Sequence, residues 1–331
     1  MFKIHSNGCG RRLLEKETLE RWLNEEIAEG RLGRDVEFDV FVSCIFNKIR
    51  TDESFEYLDT CAKDKTFISG CFPKAFEDYD SSEFAGSGSI QDIADNLSSL
   101  YRLSRFEPSR YSASRVQIAQ GCLGNCSYCA IKKSTGTLIS KSEEDILSEI
   151  SDLTDVYLMA EDTGAWGQDF KPKKNLGDLL DFLFKNRIGR VSIDNMDPFW
   201  LIKFFPEIER HKEEISSIIV AIQTFSNSLL KKMNRREADM EKLLSILISM
   251  KNTGITLYMI SCYPEETDEE FEENLLFLKK LTYEKRIAVN LFEFHDHFGI
   301  FSTPLPSEIK SYRISAISDA VRRHSSQLLL Y

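Results

Sequence analysis

The chain has 331 residues, 42% of them hydrophobic and 29% charged, a composition that excludes an intrinsically disordered protein. Its 42 Lys and Arg against 53 Asp and Glu give a formal net charge of −11, which excludes a generally basic nucleic-acid surface but not a local basic groove. The first residues hold no apolar stretch of signal-peptide length, and no apolar run approaches the about 20 residues of a membrane-spanning helix. We therefore expect a cytoplasmic protein whose eight cysteines stay reduced.

The first hundred residues are predicted to form a small α/β unit, with strands at 2–4, 38–42 and 66–68 and a helix after the first of them. Cys9, Cys44 and Cys71 each follow one of these strands closely. Because the ends of parallel strands share one edge of a sheet, this is where α/β proteins place their sites. Cys61 does not share that placement, and we interpret it as a helix-packing residue.

Residues 1–80 are predicted to be an N-terminal domain. The Ser- and Gly-rich segment 81–89 is typical of a linker, and a connecting helix is predicted at 90–103. Together, residues 81–108 are expected to join the first domain to a second one at 109–331.

In the second domain, strand-like and helix-like segments alternate. Strands are predicted at 116–119, 156–159, 190–193, 218–223, 256–261 and 288–292, and a last helix near 307–327. Capping boxes at 140–143 and 267–270 mark two of the helix starts. Six β/α units in succession favour a parallel sheet, either open or curved into a partial barrel.

Three cysteines lie within eight residues after the first strand of this domain: Cys122, Cys126 and Cys129. Thiolates are soft ligands that suit an iron–sulfur cluster or zinc. Structural zinc needs four ligands, and no fourth Cys or His lies nearby. Three ligands on a four-iron cluster leave one iron open for chemistry, and the spacing on a glycine-containing loop disfavours simple packing cysteines.

This CxxxCxxC pattern, with Tyr128 before its last cysteine, resembles the signature of radical S-adenosylmethionine (radical SAM) enzymes. Over nearly its whole length the chain resembles one branch of them, the methylthiotransferases. Cys9, Cys44 and Cys71 match that family's three amino-terminal cysteines. Further family blocks are matched at 155–167, 195–198, 223 with 231–235, and 263–268. The first of these is nearest to the archaeal and eukaryotic tRNA threonylcarbamoyladenosine branch.

The chain also departs from the family pattern. Cys262 and Glu265 stand where the family has glycine, and residues 297–300 replace a basic segment. The family normally continues into a small RNA-binding β-barrel, whereas this sequence stops at Tyr331. We expect that barrel to be lacking.

The resemblance implies a small amino-terminal parallel-sheet α/β domain followed by a partial (β/α)₆ radical SAM barrel. It implies that Cys122, Cys126 and Cys129 hold a [4Fe–4S] cluster whose open iron binds S-adenosylmethionine, the source of a 5′-deoxyadenosyl radical. It also implies a second [4Fe–4S] cluster, on Cys9, Cys44 and Cys71, that carries the sulfur. By position in the matched blocks, the predicted cofactor contacts are Tyr128, Glu161, Gln223 and Ser261.

The implied reaction converts an unactivated C–H bond into C–S–CH₃, with an electron donor such as a flavodoxin or ferredoxin. A peptide or protein side chain is favoured as substrate over a modified tRNA adenosine, because the expected lack of the barrel and the negative charge both disfavour RNA. Two other classes stay open. An electron-transfer protein is disfavoured because ferredoxin clusters are fully Cys-ligated. A radical SAM enzyme without sulfur insertion is disfavoured by the trio Cys9, Cys44 and Cys71.

Overall fold

The computed structural model describes residues 2–8, 10–45, 47–76, 78–108, 114–281, 287–296, 299–301, 305–322 and 327–330. The chain divides into two compact units. The first comprises Met1–Arg115, Ala130–Gly136 and Ser148–Ser151, and the second comprises Val116–Cys129, Thr137–Leu147 and Asp152–Tyr331. None of the described helices is both long enough and apolar enough to cross a membrane.

The first unit is a four-stranded parallel sheet with helices between its strands. Its elements are β1 (Lys3–Ser6), α1 (Gly10–Ala28), β2 (Asp39–Ser43), α2 (Lys48–Thr60), β3 (Thr66–Gly70), α3 (Phe72–Ala75), β4 (Gly86–Ser87), α4 (Ile90–Tyr101) and α5 (Ala130–Thr135). The strand order is β1-β2-β3-β4, and every neighbouring pair runs parallel. The three predicted strands are confirmed.

Helices α1 and α4 bury their apolar faces against this sheet. Trp22 of α1 and Leu97 of α4 are fully buried, in one cluster with Val40 of β2 and Phe67 of β3. Large apolar side chains buried in this way contribute about 1.5–3 kcal/mol each to folding. One part of the core of this unit therefore lies between the sheet and these two helices.

One carboxylate is buried at the end of α1. Glu26 is 0% exposed and accepts hydrogen bonds from Arg31 (2.6 and 2.7 Å) and from the backbone N–H of Ser104 (3.0 Å). The hydrogen bond from Arg31 is the main reason that the pKa of Glu26 falls to about 2. The ionised carboxylate thus ties α1 to the segment that follows α4.

The segment predicted as a linker, residues 81–89, is part of the first unit. It contains β4, which pairs with β3, and it ends at Ser89, whose side chain caps α4 together with Asp92. A Cβ on Gly86 would lie 3.0 Å from the Phe67 ring. The small residues therefore allow a tight edge strand here, whereas composition alone favoured a flexible connection.

The second unit is built on a seven-stranded sheet. Its elements are β5 (Arg115–Gln117), β6 (Ala119–Gln120), β7 (Ile139–Ser140), α6 (Glu143–Ser148), β8 (Asp155–Met159), α7 (Leu176–Lys185), β9 (Arg190–Met196), α8 (Pro198–Glu209), β10 (Ile215–Gln223), α9 (Asn227–Lys232), α10 (Met240–Ser249), β11 (Gly254–Ser261), α11 (Asp268–Leu281), β12 (Ile287–Glu293), α12 (Ser307–Arg322) and β13 (Gln327–Leu330). The sheet order is β13-β12-β11-β10-β9-β8-β5. All described pairs from β8 to β13 run parallel. The parallel α/β architecture predicted for this part of the chain is confirmed.

Two details of the second unit differ from the prediction. The first predicted strand, 116–119, is interrupted at Ile118, because Ala119 leaves the large sheet to pair with Ser140 on β7. The last predicted helix ends earlier, at Arg322, and a strand, β13, follows at Gln327–Leu330. A run of three leucines carries no period that separates a short strand from the end of a helix.

Burial alternates along the central strands β10 and β11. Val220 and Ile222 are fully buried, as are Leu257 and Met259, whereas the residues between them are partly exposed. This period of two is the signature of a sheet with one closely packed face. The partly exposed face includes Ala221, which borders the cavity described next.

Candidate functional site

The loop at residues 121–129 follows β6 and carries Cys122, Cys126 and Cys129. Gly121 has a φ of +80° and donates its N–H to the Glu161 carboxylate (2.8 Å). Gly124 donates its N–H to the Cys122 Sγ (3.1 Å), and a Cβ at Gly124 would lie 3.3 Å from that sulfur and 3.8 Å from the Cys126 Sγ. Glycine thus keeps the space beside both sulfurs open.

A cavity of about 290 Å³ opens at this loop. Its lining comes from the loop, from the carboxyl ends of β8, β9 and β10, and from the segment that follows α9: Cys122, Leu123, Gly124, Asn125, Cys126, Glu161, Asp162, Asn195, Asp197, Ala221, Asn234, Arg235 and Arg236. This edge of a parallel sheet is where α/β proteins bind their ligands. The volume of the cavity is near the lower end of the range for small-molecule sites.

The Arg235 side chain, 8% exposed, lies under the cysteine loop. Its guanidinium donates to the Asp197 carboxylate (2.7 Å), the Ala221 carbonyl (2.7 Å) and the Tyr128 hydroxyl (2.9 Å). One of its nitrogens also lies 3.8 Å from the Cys126 Sγ. A fixed positive charge thus lies beside a thiol and is anchored by a carboxylate.

The segment before Arg235 holds the cysteine loop by hydrogen bonds to the backbone of the loop. Ser127 donates its N–H to the Met233 carbonyl (3.0 Å), and Asn234 donates its side-chain amide to the Asn125 carbonyl (2.6 Å). On the other side, the hydroxyls of Ser127 and Tyr263 are 3.0 Å apart. The block of residues 231–235 that the sequence singled out therefore holds the cysteine loop in place.

Two aspartates lie next to each other at the cavity. The buried Asp162 carboxylate accepts hydrogen bonds from the Trp200 indole (2.8 Å) and the Asp197 N–H (3.2 Å). Burial, followed by the neighbouring Asp197 charge, raises the pKa of Asp162 to about 7. Burial, followed by the Asp162 charge, also raises the pKa of the Cys122 thiol to about 11. Metal binding deprotonates such a thiol, since the thiolate is the ligand.

Backbone strain concentrates at the same edge of the sheet. Asn195, Gln223 and Cys262 have φ values of 40°, 66° and 64°, and they stand at the ends of β9, β10 and β11. Left-handed conformations cost side-chain-bearing residues about 1–2 kcal/mol each. Such strain often accompanies functional sites.

The four predicted cofactor contacts differ in whether they line the cavity. Glu161 borders the cavity, whereas Tyr128, Gln223 and Ser261 are not among the described residues that line it. The Tyr128 hydroxyl is engaged by Arg235, and the Ser261 hydroxyl donates to the Phe292 carbonyl (3.3 Å).

Sequence reasoning assigned no role to five residues that line the cavity: Asp162, Asn195, Asp197, Arg235 and Arg236. Four of them belong to sequence blocks that were matched but not interpreted, and Arg236 directly follows one of these blocks. Although Arg235 lies in a stretch rich in Lys and Arg, its side chain is buried.

In the first unit, Cys44 and Cys71 directly follow β2 and β3. Both are buried, at 0% and 2% exposure. The side-chain amide of Asn7 makes two hydrogen bonds to the backbone of Cys44: it accepts the Cys44 N–H (2.8 Å) and donates to the Cys44 carbonyl (3.3 Å). Cys9 lies outside the described residues.

Gly70, which precedes Cys71, is required by the backbone. Its φ is +93°, and a Cβ there would lie 2.1 Å from the Ser43 carbonyl oxygen. That carbonyl accepts the Cys71 N–H (3.0 Å). The ends of β2 and β3, and hence the backbones of the two cysteines that follow them, are therefore held close together.

Across the described ranges, no three His, Cys, Asp and Glu side chains are already arranged around one metal position. The fit to an iron–sulfur cluster is judged instead from donors and space. The loop carries three soft thiol donors, and Gly124 leaves room beside two of them. These residues fit such a cluster.

Comparison with known proteins agrees with this chemistry. Residues 116–278 match the Radical SAM superfamily model. A tRNA-2-methylthio-N(6)-dimethylallyladenosine synthase of Oceanobacillus iheyensis is 28% identical over 64% of this chain and 43% of its own length. The ribosomal protein uS12 methylthiotransferase RimO of Geotalea uraniireducens is 23% identical over 92% of this chain and 77% of its own. The predicted resemblance of the chain to radical SAM methylthiotransferases is thus confirmed.

The match to the Radical SAM superfamily implies S-adenosylmethionine and one [4Fe–4S] cluster as cofactors. The fold is also that of solved radical SAM proteins. The structure of the cobalamin-dependent enzyme OxsB superposes with a TM-score of 0.54 at 13% identity, covering 98% of this chain and 56% of that one. At this identity the likeness concerns the fold alone. The predicted radical SAM fold is confirmed.

Proposed function

We propose that this chain is a radical SAM methylthiotransferase that converts an unactivated C–H bond into C–S–CH₃. The observation that carries the proposal is the repeated placement of cysteines directly after the ends of strands. It occurs in the second unit at residues 122–129 and in the first unit at Cys44 and Cys71. A protein that binds only one cluster has no need of the second set.

In this proposal Cys122, Cys126 and Cys129 hold a [4Fe–4S] cluster. When bound, the cluster supplies the electron that cleaves S-adenosylmethionine, the source of the radical that removes the substrate hydrogen. Arg235 keeps the loop in position through its bonds to Asp197 and Tyr128. The cavity beside the loop offers carboxylates for the ammonium and hydroxyl groups of S-adenosylmethionine, and a guanidinium, Arg236, for its carboxylate.

We assign a second [4Fe–4S] cluster to Cys9, Cys44 and Cys71. When bound, it supplies the sulfur for the new C–S bond. The burial of Cys44 and Cys71 supports this role, because buried thiolates are shielded from water and oxidants. Both clusters need reduced cysteines, which favours the cytoplasm as compartment and a flavodoxin or ferredoxin as electron donor.

The favoured substrate is a peptide or protein side chain. The net charge of −11 opposes a polyanion, and the cavity is lined by three carboxylates against two guanidinium groups. Of five relatives named ribosomal protein uS12 methylthiotransferase, three align over 92–97% of this chain and two over 76% and 51%, and three tRNA enzymes align over 62–64%.

A modified tRNA adenosine is the second candidate. The feature that favours it is Arg236, whose guanidinium lies 4.8 and 4.6 Å from the ring centroids of Phe199 and Trp200 beside the cavity. Cations and aromatic rings in such an arrangement also serve single-stranded RNA binding.

The test is anaerobic reconstitution with iron and sulfide, followed by reaction with S-adenosylmethionine and dithionite. We expect about eight irons per chain and formation of 5′-deoxyadenosine. Alanine at Cys122, Cys126 and Cys129 should halve the iron and abolish 5′-deoxyadenosine. Alanine at Cys9, Cys44 and Cys71 should also halve the iron but leave cleavage measurable. Full iron in this last variant would exclude the second cluster.

A further inference from the structure

We propose that Arg12 sets the reduction potential of the cluster in the first unit, as a positioning residue that donates a charged hydrogen bond to Cys71. This inference rests on the proposed function, because it takes Cys71 to be a cluster ligand. Arg12 belongs to none of the sequence blocks discussed above, and it lies in the first turn of α1.

The geometry around Arg12 links a cation, a carboxylate and a thiol. One terminal nitrogen, Nη1, lies 2.5 Å from both carboxylate oxygens of Glu15, one helical turn along α1. The other, Nη2, donates to the Cys71 Sγ at 3.3 Å. Arg12 is 5% exposed and Cys71 2% exposed, so little water screens this contact.

A pair of Arg and Glu at positions i and i+3 ordinarily lies on a helix surface, where it contributes a few tenths of a kcal/mol. Here the guanidinium is buried instead, which is costly unless its donors are satisfied. The planar fork of arginine binds a carboxylate with one nitrogen and a sulfur with the other, a fixed geometry that the compact ammonium of lysine does not have. The placement therefore suits a residue that must reach a sulfur ligand.

The consequence for a bound cluster follows from charge. Reduction adds one negative charge, and both a nearby cation and N–H···S hydrogen bonds stabilise the reduced state. Arg12 should therefore raise the reduction potential. Glu15, whose carboxylate opposes this cation, should lower it.

Arg235 makes a related but longer contact in the second unit, 3.8 Å from the Cys126 Sγ, and is likewise anchored by a carboxylate, Asp197. Because Arg12 makes the shorter contact and its sulfur is more buried, the stronger effect on potential is expected in the first unit.

The experiment uses the full-length chain with Cys122, Cys126 and Cys129 replaced by Ala, so that only the first unit's cluster gives a signal. Iron is counted, and the midpoint potential is measured by dithionite titration followed by electron paramagnetic resonance. Arg12→Gln should lower the ratio of reduced to oxidised cluster about tenfold at fixed potential, which is 59 mV for a one-electron couple. Glu15→Gln should raise the ratio of reduced to oxidised cluster at the same potential.

Two further variants complete the design. Arg12→Lys keeps the charge without the fork, and should fold, retain iron and give a potential between wild type and Arg12→Gln. Arg31→Gln is the matched control, because it also breaks an ion pair of an arginine in the first unit, the one with Glu26. The described ion-pair partners of Arg31 are Glu26 and Glu29. Its potential should equal that of the parent.

The outcomes separate the two claims. If the parent variant binds no iron, the second cluster of the proposed function is wrong. If the parent binds iron but Arg12→Gln and Arg12→Lys leave the potential unchanged, the role of Arg12 is overturned. A shift of the same sign for Arg12→Gln and Glu15→Gln would also overturn it, because mere loss of packing moves both alike.

Discussion

Replacing Arg235 by Gln should destabilise the second unit and loosen the cysteine loop. The change removes the charged partner of Asp197, whose side chain is 19% exposed, and the donor to the Ala221 carbonyl and Tyr128 hydroxyl. Breaking a buried ion pair on one side costs about 3–5 kcal/mol. Since some water reaches Asp197, the lower end applies, and we expect the free energy of unfolding to fall by about 3 kcal/mol.

The assay is urea unfolding of the metal-free protein, followed by tryptophan fluorescence. In a Trp22→Phe background the signal comes from Trp166 and Trp200, the two remaining tryptophans, both in the second unit. The neighbouring Arg236 is the matched control. It stacks on aromatic rings, so Arg236→Gln should cost about 1 kcal/mol or less.

A double-mutant cycle with Asp197→Asn isolates the pair. We expect a coupling energy of about 2 kcal/mol or more between Arg235 and Asp197, because the two side chains contact each other directly. In reconstituted protein, Arg235→Gln should also lose iron faster to a chelator. Equal costs for Arg235→Gln and Arg236→Gln, or additive effects in the cycle, would refute the anchoring role.

Three other predictions concern stability and metal content. Glu26→Gln should lower the free energy of unfolding by about 2 kcal/mol at pH 7. The figure follows from the lowered pKa of Glu26, and it is made smaller than the full shift implies because the Arg31 side chain is 36% exposed to water. That stability is present above pH about 4.5 and lost as the pH falls toward 2, so acid titration of urea unfolding should show wild type and variant converging. Gly70→Ala should prevent stable folding of the first unit, visible as loss of protection in hydrogen exchange, because no side chain fits at that φ. Cys61→Ala and Cys262→Ala should each retain full iron, and a loss comparable with that of a cluster ligand would show that the ligands are misassigned.

The sheet elements could be predicted from the sequence because apolar residues recur with the periods that strands and amphipathic helices require. The capping box at Thr267 was predicted correctly, since Thr267 exchanges hydrogen bonds with Glu270. The box predicted at 140–143 starts two residues too early, because it is Ser142 that accepts the Asp145 N–H. Strand β4 was missed because a two-residue Gly-Ser strand has no hydrophobic pattern. Its place in the sheet depends on long-range pairing with Phe67.

The cysteines of the candidate site could be predicted because their spacing is local. The residues that support them could not. Arg235 reaches Asp197 across 38 positions of sequence, and Arg12 reaches Cys71 across 59. Such pairs depend on which strand ends the fold brings together, and neither periodicity nor composition records that. The buried guanidinium groups are therefore findings of the structure.

The central claim, sulfur insertion at a carbon, is tested most directly by mass spectrometry of the reaction product. The reconstituted protein is incubated with S-adenosylmethionine, dithionite, sulfide and a pool of candidate peptides, with bulk tRNA in a parallel reaction. The proposal predicts a product heavier by one sulfur and one CH₂, absent when Cys44 and Cys71 are replaced by Ala. Formation of 5′-deoxyadenosine with a substrate that gains carbon but no sulfur would contradict it.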